Sequence, residues 1–282
     1  MLKLESMKES VKLKRIKKFK CLTIKDDFMF CKVMQDEDIC LKVLNIVLKN
    51  TLEMAPIKLI IPQAKIENHP ELKDVRLDIL VENEKGSSYD VEMQVVNRKN
   101  TQKRMRVYQA SIDMSKMKKG LDYNKIGNTI IIFFCMFDPI GKGLPIYSFE
   151  NYCSENKNIK MNDGTYKIIV NIRGWKKVED ADLKALLKYM DDSIVTNEVT
   201  KEIEMATVKI KQDDVITEEY VSMYAKYWDI RRDGERRGER RGEKRGEMKT
   251  KVNMALIMKN KGYSIEEISE ISGLGKEEIE KL

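Results

Sequence analysis

Asp78, Glu92 and Gln94 fall in the stretch RLDILVENEKGSSYDVEMQVV, residues 76–96, where aliphatic runs flank a glycine-containing turn. A plain buried sheet has no use for three such oxygen-bearing side chains. A period of two puts Glu92 and Gln94 on one side of one strand, and a hairpin turn at EKGSS can bring Asp78 beside them. Carboxylates on rigid strands suit Mg²⁺, with Mn²⁺ as an alternative, because hard divalent cations prefer oxygen ligands. A cation held there would polarise a water and neutralise charge during phosphodiester hydrolysis. Asp78 and Glu92 are therefore the expected metal ligands, with Gln94 orienting water or a phosphate oxygen.

Two strands must carry these groups. Alternation predicts Val75, Leu77, Ile79 and Val81 on one face of the first, with Arg76, Asp78 and Glu82 on the other. In the second, Tyr89, Val91, Met93 and Val95 oppose Asp90, Glu92 and Gln94. Upstream, TIKDDFMFCKVM and DEDICLKVLNIVLKN read as two short helices or one broken helix, with Thr23 or Asp26 and then Asp36 as caps. The proline-interrupted MAPIKLIIPQAKI reads as an edge strand or connector. Downstream, Asn100 is placed to cap TQKRMRVYQASIDMSKMKKG, a helix with Met105, Tyr108 and Ile112 turned inward. A basic cluster of Arg98, Lys99, Lys103, Arg104, Arg106, Lys116, Lys118 and Lys119 adjoins the strands. NTIIIFFCMFD is expected to be a buried strand, LPIYSFENYC and YKIIVNI further strands, and the rest almost wholly helical.

The repeat RRDGERRGERRGEKRGEM sets Gly234, Gly238, Gly242 and Gly246 four apart, which fits either a helical contact between copies of the chain or a semi-flexible linker. The last residues resemble a helix-turn-helix, but their final helix, KEEIEKL, is acidic and better suited to protein than to phosphate. Five cysteines without a Cys-x-x-Cys pair and a single histidine, His69, argue against a zinc site and for reduced thiols. The longest apolar run, TIIIFFCMF, is too short to cross a bilayer. The formal charge of +7 suits a polyanionic partner, and a cytoplasmic protein with no membrane contact is expected.

D-x13-E-x-Q resembles the core of the PD-(D/E)XK nuclease superfamily, with glutamine in place of lysine. The order DFMFCKVM, RLDILV, VEMQ, RVYQASIDMSKMKKGLDY and a strand ending in FD is similar to the Rpn family of recombination-promoting nucleases and transposases over roughly residues 23–230. The glycine–glutamate repeats and the G-Y-S-I-E-E-I tail are also typical of that group. The resemblance implies a Mg²⁺-dependent DNA endonuclease linked to recombination or transposase-like activity. The alternative is a catalytically silent DNA-binding or assembly protein on the same fold. By the same resemblance Asp78, Glu92 and Gln94 match metal and catalytic positions, and Asp27 matches the acidic residue of the first-helix D-F-x-F motif. Lys103, Arg104, Arg106 and Tyr108 are the expected DNA contacts.

The predicted architecture is α/β: a PD-(D/E)XK-like mixed central sheet flanked by helices, then an all-helical C-terminal region. Its parts are a basic extension at 1–22, the nuclease domain at 23–195, a helical region at 196–230, the repeat at 231–248 as helix or linker, and a helix-turn-helix-like module at 249–282. Residues 231–282 are the candidate homo-oligomer contact.

Overall fold

The computed structural model describes residues 2–49, 51–52, 54–66, 74–117 and 119–282, with the side chains of 2–8 and 230 left aside. His69 and Lys118 lie outside the described residues. The chain forms two compact units, Met1–Tyr220 and Val221–Leu282.

In the first unit the helices are α1 (Leu2–Lys20), α2 (Asp27–Val33), α3 (Glu37–Leu48), α4 (Thr101–Lys116), α5 (Ala181–Asp192) and α6 (Glu198–Gln212). The strands are β1 (Ile57–Pro62), β2 (Lys65–Ile66), β3 (Val75–Arg76), β4 (Ile79–Asn83), β5 (Ser88–Gln94), β6 (Thr129–Cys135), β7 (Ile146–Phe149) and β8 (Thr165–Asn171). Six of the strands form one sheet in the order β1-β4-β5-β6-β8-β7, and β2 pairs with β3 in a small second sheet. The pairs β5–β6 and β6–β8 are parallel, while the outer pairs are antiparallel. The parallel strands at the centre of the sheet are the part expected to be covered on both faces, and every residue of β6 is buried.

One face packs under α4: Ile131, Phe133 and Cys135 of β6 join Leu80, Met105 and Ile112 in a single cluster. On the opposite face Phe134 meets Phe30 of α2, ring centroids 5.5 Å apart. The basic N-terminal segment is helical, and Phe19 at its end is fully buried against Phe28 and Tyr220. Asp36 caps α3 through Ile39 N–H at 3.1 Å. Asp26 starts α2 without a side-chain cap, accepting instead from Thr23 N–H at 2.8 Å. Asn100 likewise occupies the first position before α4, where its carbonyl accepts Arg104 N–H at 2.9 Å but its side chain makes no capping bond among the described residues.

The β4–β5 turn needs Gly86 at φ +80, where a side chain would be strained. The carbonyl of Gly86 in turn sits where a Cβ on Gly127 would lie, so both positions require glycine.

One expectation fails at the centre of the sheet. Val75 and Leu77 pack in the α4 cluster with Leu80, whereas Ile79 and Val81 pair with Val91 and Tyr89, which point to the other face. The run from 75 to 81 is thus two strands of opposite phase, because the chain bends at Asp78 on leaving the small sheet for the large one.

In the second unit α7 (Asp214–Asn260), which begins in the first, carries the repeat as continuous helix and is followed by α8 (Ile265–Ser272) and α9 (Lys276–Glu280). Ala255, Met258, Ile268, Leu274 and Ile279 make a small core there. Ser264 opens α8 with a reciprocal cap to Glu267, and Gly273 ends it in the left-handed conformation.

Candidate active site

β5 enters the α4-covered face with Asp90, Glu92 and Gln94 in a row, opposite Ile131, Phe133 and Cys135 of β6. Asp78 arrives from the bend before β4. Its backbone is tied at both ends: its N–H donates to Glu92 Oε1 at 2.9 Å, and its carbonyl accepts from Gln63 N–H at 2.8 Å and Cys31 Sγ at 3.0 Å. Gln63 holds a left-handed φ of 51° to make that contact. Asp78 Oδ2 accepts from Met93 N–H at 3.2 Å, so the Asp78 carboxylate and the Glu92 carboxylate each reach across to the other's strand.

Arg104 of α4 closes the group. Its Nη1 donates to Gln94 Oε1 at 2.5 Å, and its Nη2 donates to Glu92 Oε2 at 3.1 Å and Tyr108 Oη at 2.8 Å. Gln94 Nε2 also donates to Glu92 Oε2 at 3.1 Å, an amide orientation consistent with Oε1 facing the guanidinium. The guanidinium stacks near the rings of Tyr108 and Phe133, at 5.1 and 5.4 Å from their centroids. Arg104 therefore places beside Gln94 the positive charge that glutamine lacks.

These groups line an open cavity of about 740 Å³ that also includes Asp27, Lys103, Arg76 and Arg98. Asp27 stands at the first turn of α2, accepts Phe28 N–H at 2.8 Å, and adds its negative charge to the field at Asp78. Of the residues singled out from the sequence, Asp27, Asp78, Glu92, Gln94, Lys103, Arg104 and Tyr108 share this cavity. Arg106 does not line it and sits on the exposed side of α4. Arg76 was legible as the same-face neighbour of Asp78, but the clamp from Cys31 and Gln63 leaves no trace in local spacing.

Burial raises the carboxyl of Asp78 to about 6, and the charge of Asp27 adds to the effect. Burial likewise raises Glu92 to about 8, with the Asp78 charge next in importance. Asp90 is fully buried beside them, neither of its carboxyl oxygens has a hydrogen-bond partner among the described residues, and burial pushes its carboxyl well above the usual range. Two crowded carboxylates whose ionisation is opposed by burial and by each other are the electrostatic complement of a divalent cation. Among the described residues no group of three or more His, Cys, Asp or Glu side chains is disposed to hold a metal. Two carboxylates nevertheless fit Mg²⁺, which keeps several waters and takes further oxygens from substrate phosphate.

No curated protein and no solved structure matches the chain. Among the described residues no helix is long and apolar enough to cross a membrane. A family model described as PD-(D/E)XK nuclease family transposase matches residues 24–240, most of the chain and all of the strands and helices that build the cavity. With the six-stranded mixed sheet and its flanking helices, that match settles the family: the chain belongs to the PD-(D/E)XK nuclease family transposases.

Proposed function

We propose that the protein is a metal-dependent DNA endonuclease that hydrolyses phosphodiester bonds, in a role linked to recombination or transposition. The observation that supports this most is the convergence of Asp78, Glu92, Gln94 and Arg104 in one open cavity with basic side chains in its lining. Asp78 and Glu92 would hold Mg²⁺ or Mn²⁺, and when bound the cation supplies polarisation of a water and neutralisation of charge on the phosphate. Gln94 is oriented by its two bonds to Arg104 and Glu92, and so presents a fixed dipole to an attacking water. In the reaction the water oxygen bonds to phosphorus and its proton passes to solvent or to a neighbouring carboxylate, while the phosphorus–oxygen bond to the sugar breaks and the leaving oxygen takes up a proton from solvent. Three of the five N–H donors of Arg104 serve Gln94, Glu92 and Tyr108, which leaves two among the described residues for the phosphoryl oxygens. Lys103 and Arg98 attract the flanking phosphates. Five free cysteines support a reducing, cytoplasmic setting.

The test is cleavage of plasmid and linear DNA by purified protein with and without Mg²⁺ or Mn²⁺, comparing wild type with Asp78→Asn and Glu92→Gln. Metal-dependent cleavage by wild type and none by either variant is the expected result. Equal cleavage by the variants would reject the assignment.

One observation favours a second reading. Both oxygens of Glu92 already accept hydrogen bonds within the protein, which suits a DNA-binding or assembly protein that retains the fold without turnover. DNA retention without cleavage across several divalent metals would support it. In either reading residues 231–282 are the proposed contact between copies of the chain, tested by solution mass before and after their removal.

A further inference from the structure

Residues 231–251 of α7 carry ten Arg and Lys against five Asp and Glu. Their order matters more than the excess. The four-residue repeat aligns Arg232, Arg236, Arg240 and Lys244 in one i,i+4 row and Arg237, Arg241, Arg245 and Lys249 in the next. At about 100° per residue, the basic side chains between residues 236 and 245 sweep roughly half of the helix circumference. Gly238, Gly242, Glu239 and Glu243 take the other half.

The cations are exposed and little used. Arg231 pairs with Glu235 at 2.8 Å, Arg232 with Asp229 at 3.3 Å and Arg236 with Asp233 at 3.3 Å. Among the described residues the side chains of Arg237, Arg240, Arg241, Lys244 and Arg245 make no hydrogen bond or ion pair, and all are exposed. Arginines spaced about 6 Å apart along a rigid axis suit a row of phosphates, each of which a guanidinium can grip through two donors. A lipid surface is a poorer match, because a membrane-bound helix buries an apolar face and the non-basic half here carries glycine and glutamate.

We propose that the basic half of α7, centred on Arg236, Arg237, Arg240 and Arg241, is a sequence-independent binding surface for a nucleic-acid phosphate backbone, separate from the residues that line the cavity. It deepens the DNA reading given above, yet a binding measurement without divalent metal reads it out apart from any cleavage.

The experiment measures affinity of the full chain for a 5′-labelled duplex by fluorescence anisotropy in EDTA, over a range of salt concentrations. Wild type is compared with R236Q/R237Q/R240Q/R241Q and with E239Q/E243Q; glutamine and arginine have similar helix propensities, so circular dichroism should be unchanged. The arginine variant should bind about 10-fold or more weakly, with a log K against log salt slope shallower by roughly 2–4, as expected for about 0.9 per lost phosphate contact. The glutamate variant should bind more tightly. An RNA duplex and a single strand as further probes separate backbone recognition from duplex-specific recognition. Equal affinity and slope for wild type and the arginine variant would overturn the proposal, as would binding of wild type to anionic phosphatidylserine vesicles but not to any nucleic acid. Should wild type cleave with Mg²⁺ while the slopes coincide, this surface alone is wrong; if the slopes differ but no metal supports cleavage, the endonuclease reading alone is wrong.

Discussion

Glu92 reaches across from β5 and accepts the backbone N–H of Asp78, 2.9 Å away. One candidate ligand therefore holds the backbone of the other, so removing the Glu92 carboxylate disturbs both, whereas a side-chain change at Asp78 leaves the bond in place. Asp78→Asn keeps the shape and its own N–H bond to Glu92 but halves the carboxylate charge offered to a cation. Its cleavage rate should fall by at least about 100-fold, a scale typical of losing a group that stabilises developing charge. Glu92→Ala should lose as much and also free the Asp78 N–H, so its thermal midpoint should fall while that of Asp78→Asn does not. Melting curves beside plasmid nicking separate the two effects.

Arg104 is expected to be more sensitive to conservative change than a surface arginine. Lysine cannot bridge Gln94, Glu92 and Tyr108 from one planar fork, so Arg104→Lys should lose most of the activity. Arg104→Ala leaves Glu92 more strongly opposed to ionisation and should cost roughly 1.5–3 kcal/mol of stability, the range for hydrogen bonds to charged groups. Chemical denaturation provides the measurement.

Gln94→Lys introduces the lysine of the superfamily pattern that the sequence resembles and should not improve any cleavage. Gln94 accepts from Arg104 through Oε1, and lysine has no acceptor to offer. The variant places a second cation against the guanidinium, and reduced cleavage with a lowered melting temperature is expected. A gain in rate would show that Arg104 does not act as the site's cation.

Stability without metal should fall as pH rises. Burial first, then neighbouring negative charge, raises Asp78 to about 6 and Glu92 to about 8, above the ordinary values of 3.8 and 4.5. The folded protein then holds more protons than the unfolded chain between about pH 4 and 8, so this contribution is complete at the acid end and is lost as pH climbs through the folded values. Mg²⁺ added at pH 8 should raise the melting temperature, and added at pH 5 it should do little. Cleavage, which needs the ionised carboxylates, should increase across the same interval.

Asp90 sits between Leu80 of β4 and Ile131 of β6, and both carboxyl oxygens lack partners among the described residues. Replacing it with valine, of similar size and suited to a strand, removes an unmet polar group. At pH 8 Asp90→Val should be more stable by about 1–3 kcal/mol, the cost of an unsatisfied buried polar group, while cleavage persists. A destabilised variant would mean that the carboxyl has a role its surroundings do not show.

The alternation in β5 was readable because strand geometry repeats every two residues, and Tyr89, Val91 and Met93 do oppose Asp90, Glu92 and Gln94. The same rule misled for Val75 to Val81, where the bend at Asp78 resets the phase, because a change of sheet is a tertiary event that no local pattern records. The inward stripe of α4 was equally plain from Met105 and Ile112. What spacing could not give was the reach of Arg104 to β5 or the thiol of Cys31 on the Asp78 carbonyl, since both depend on how separate elements pack.

The backbone passes from the two-stranded sheet to the six-stranded one at Asp78, with Gln63 making the same passage on the neighbouring segment. The acidic group therefore stands on a joint between the two sheets, and its position depends on how both are packed. Leu77 N–H donates to the Ala64 carbonyl at 2.9 Å and both side chains are buried in the α4 cluster, so substitutions at either, beside the joint, should shift the carboxylate and lower cleavage along with stability.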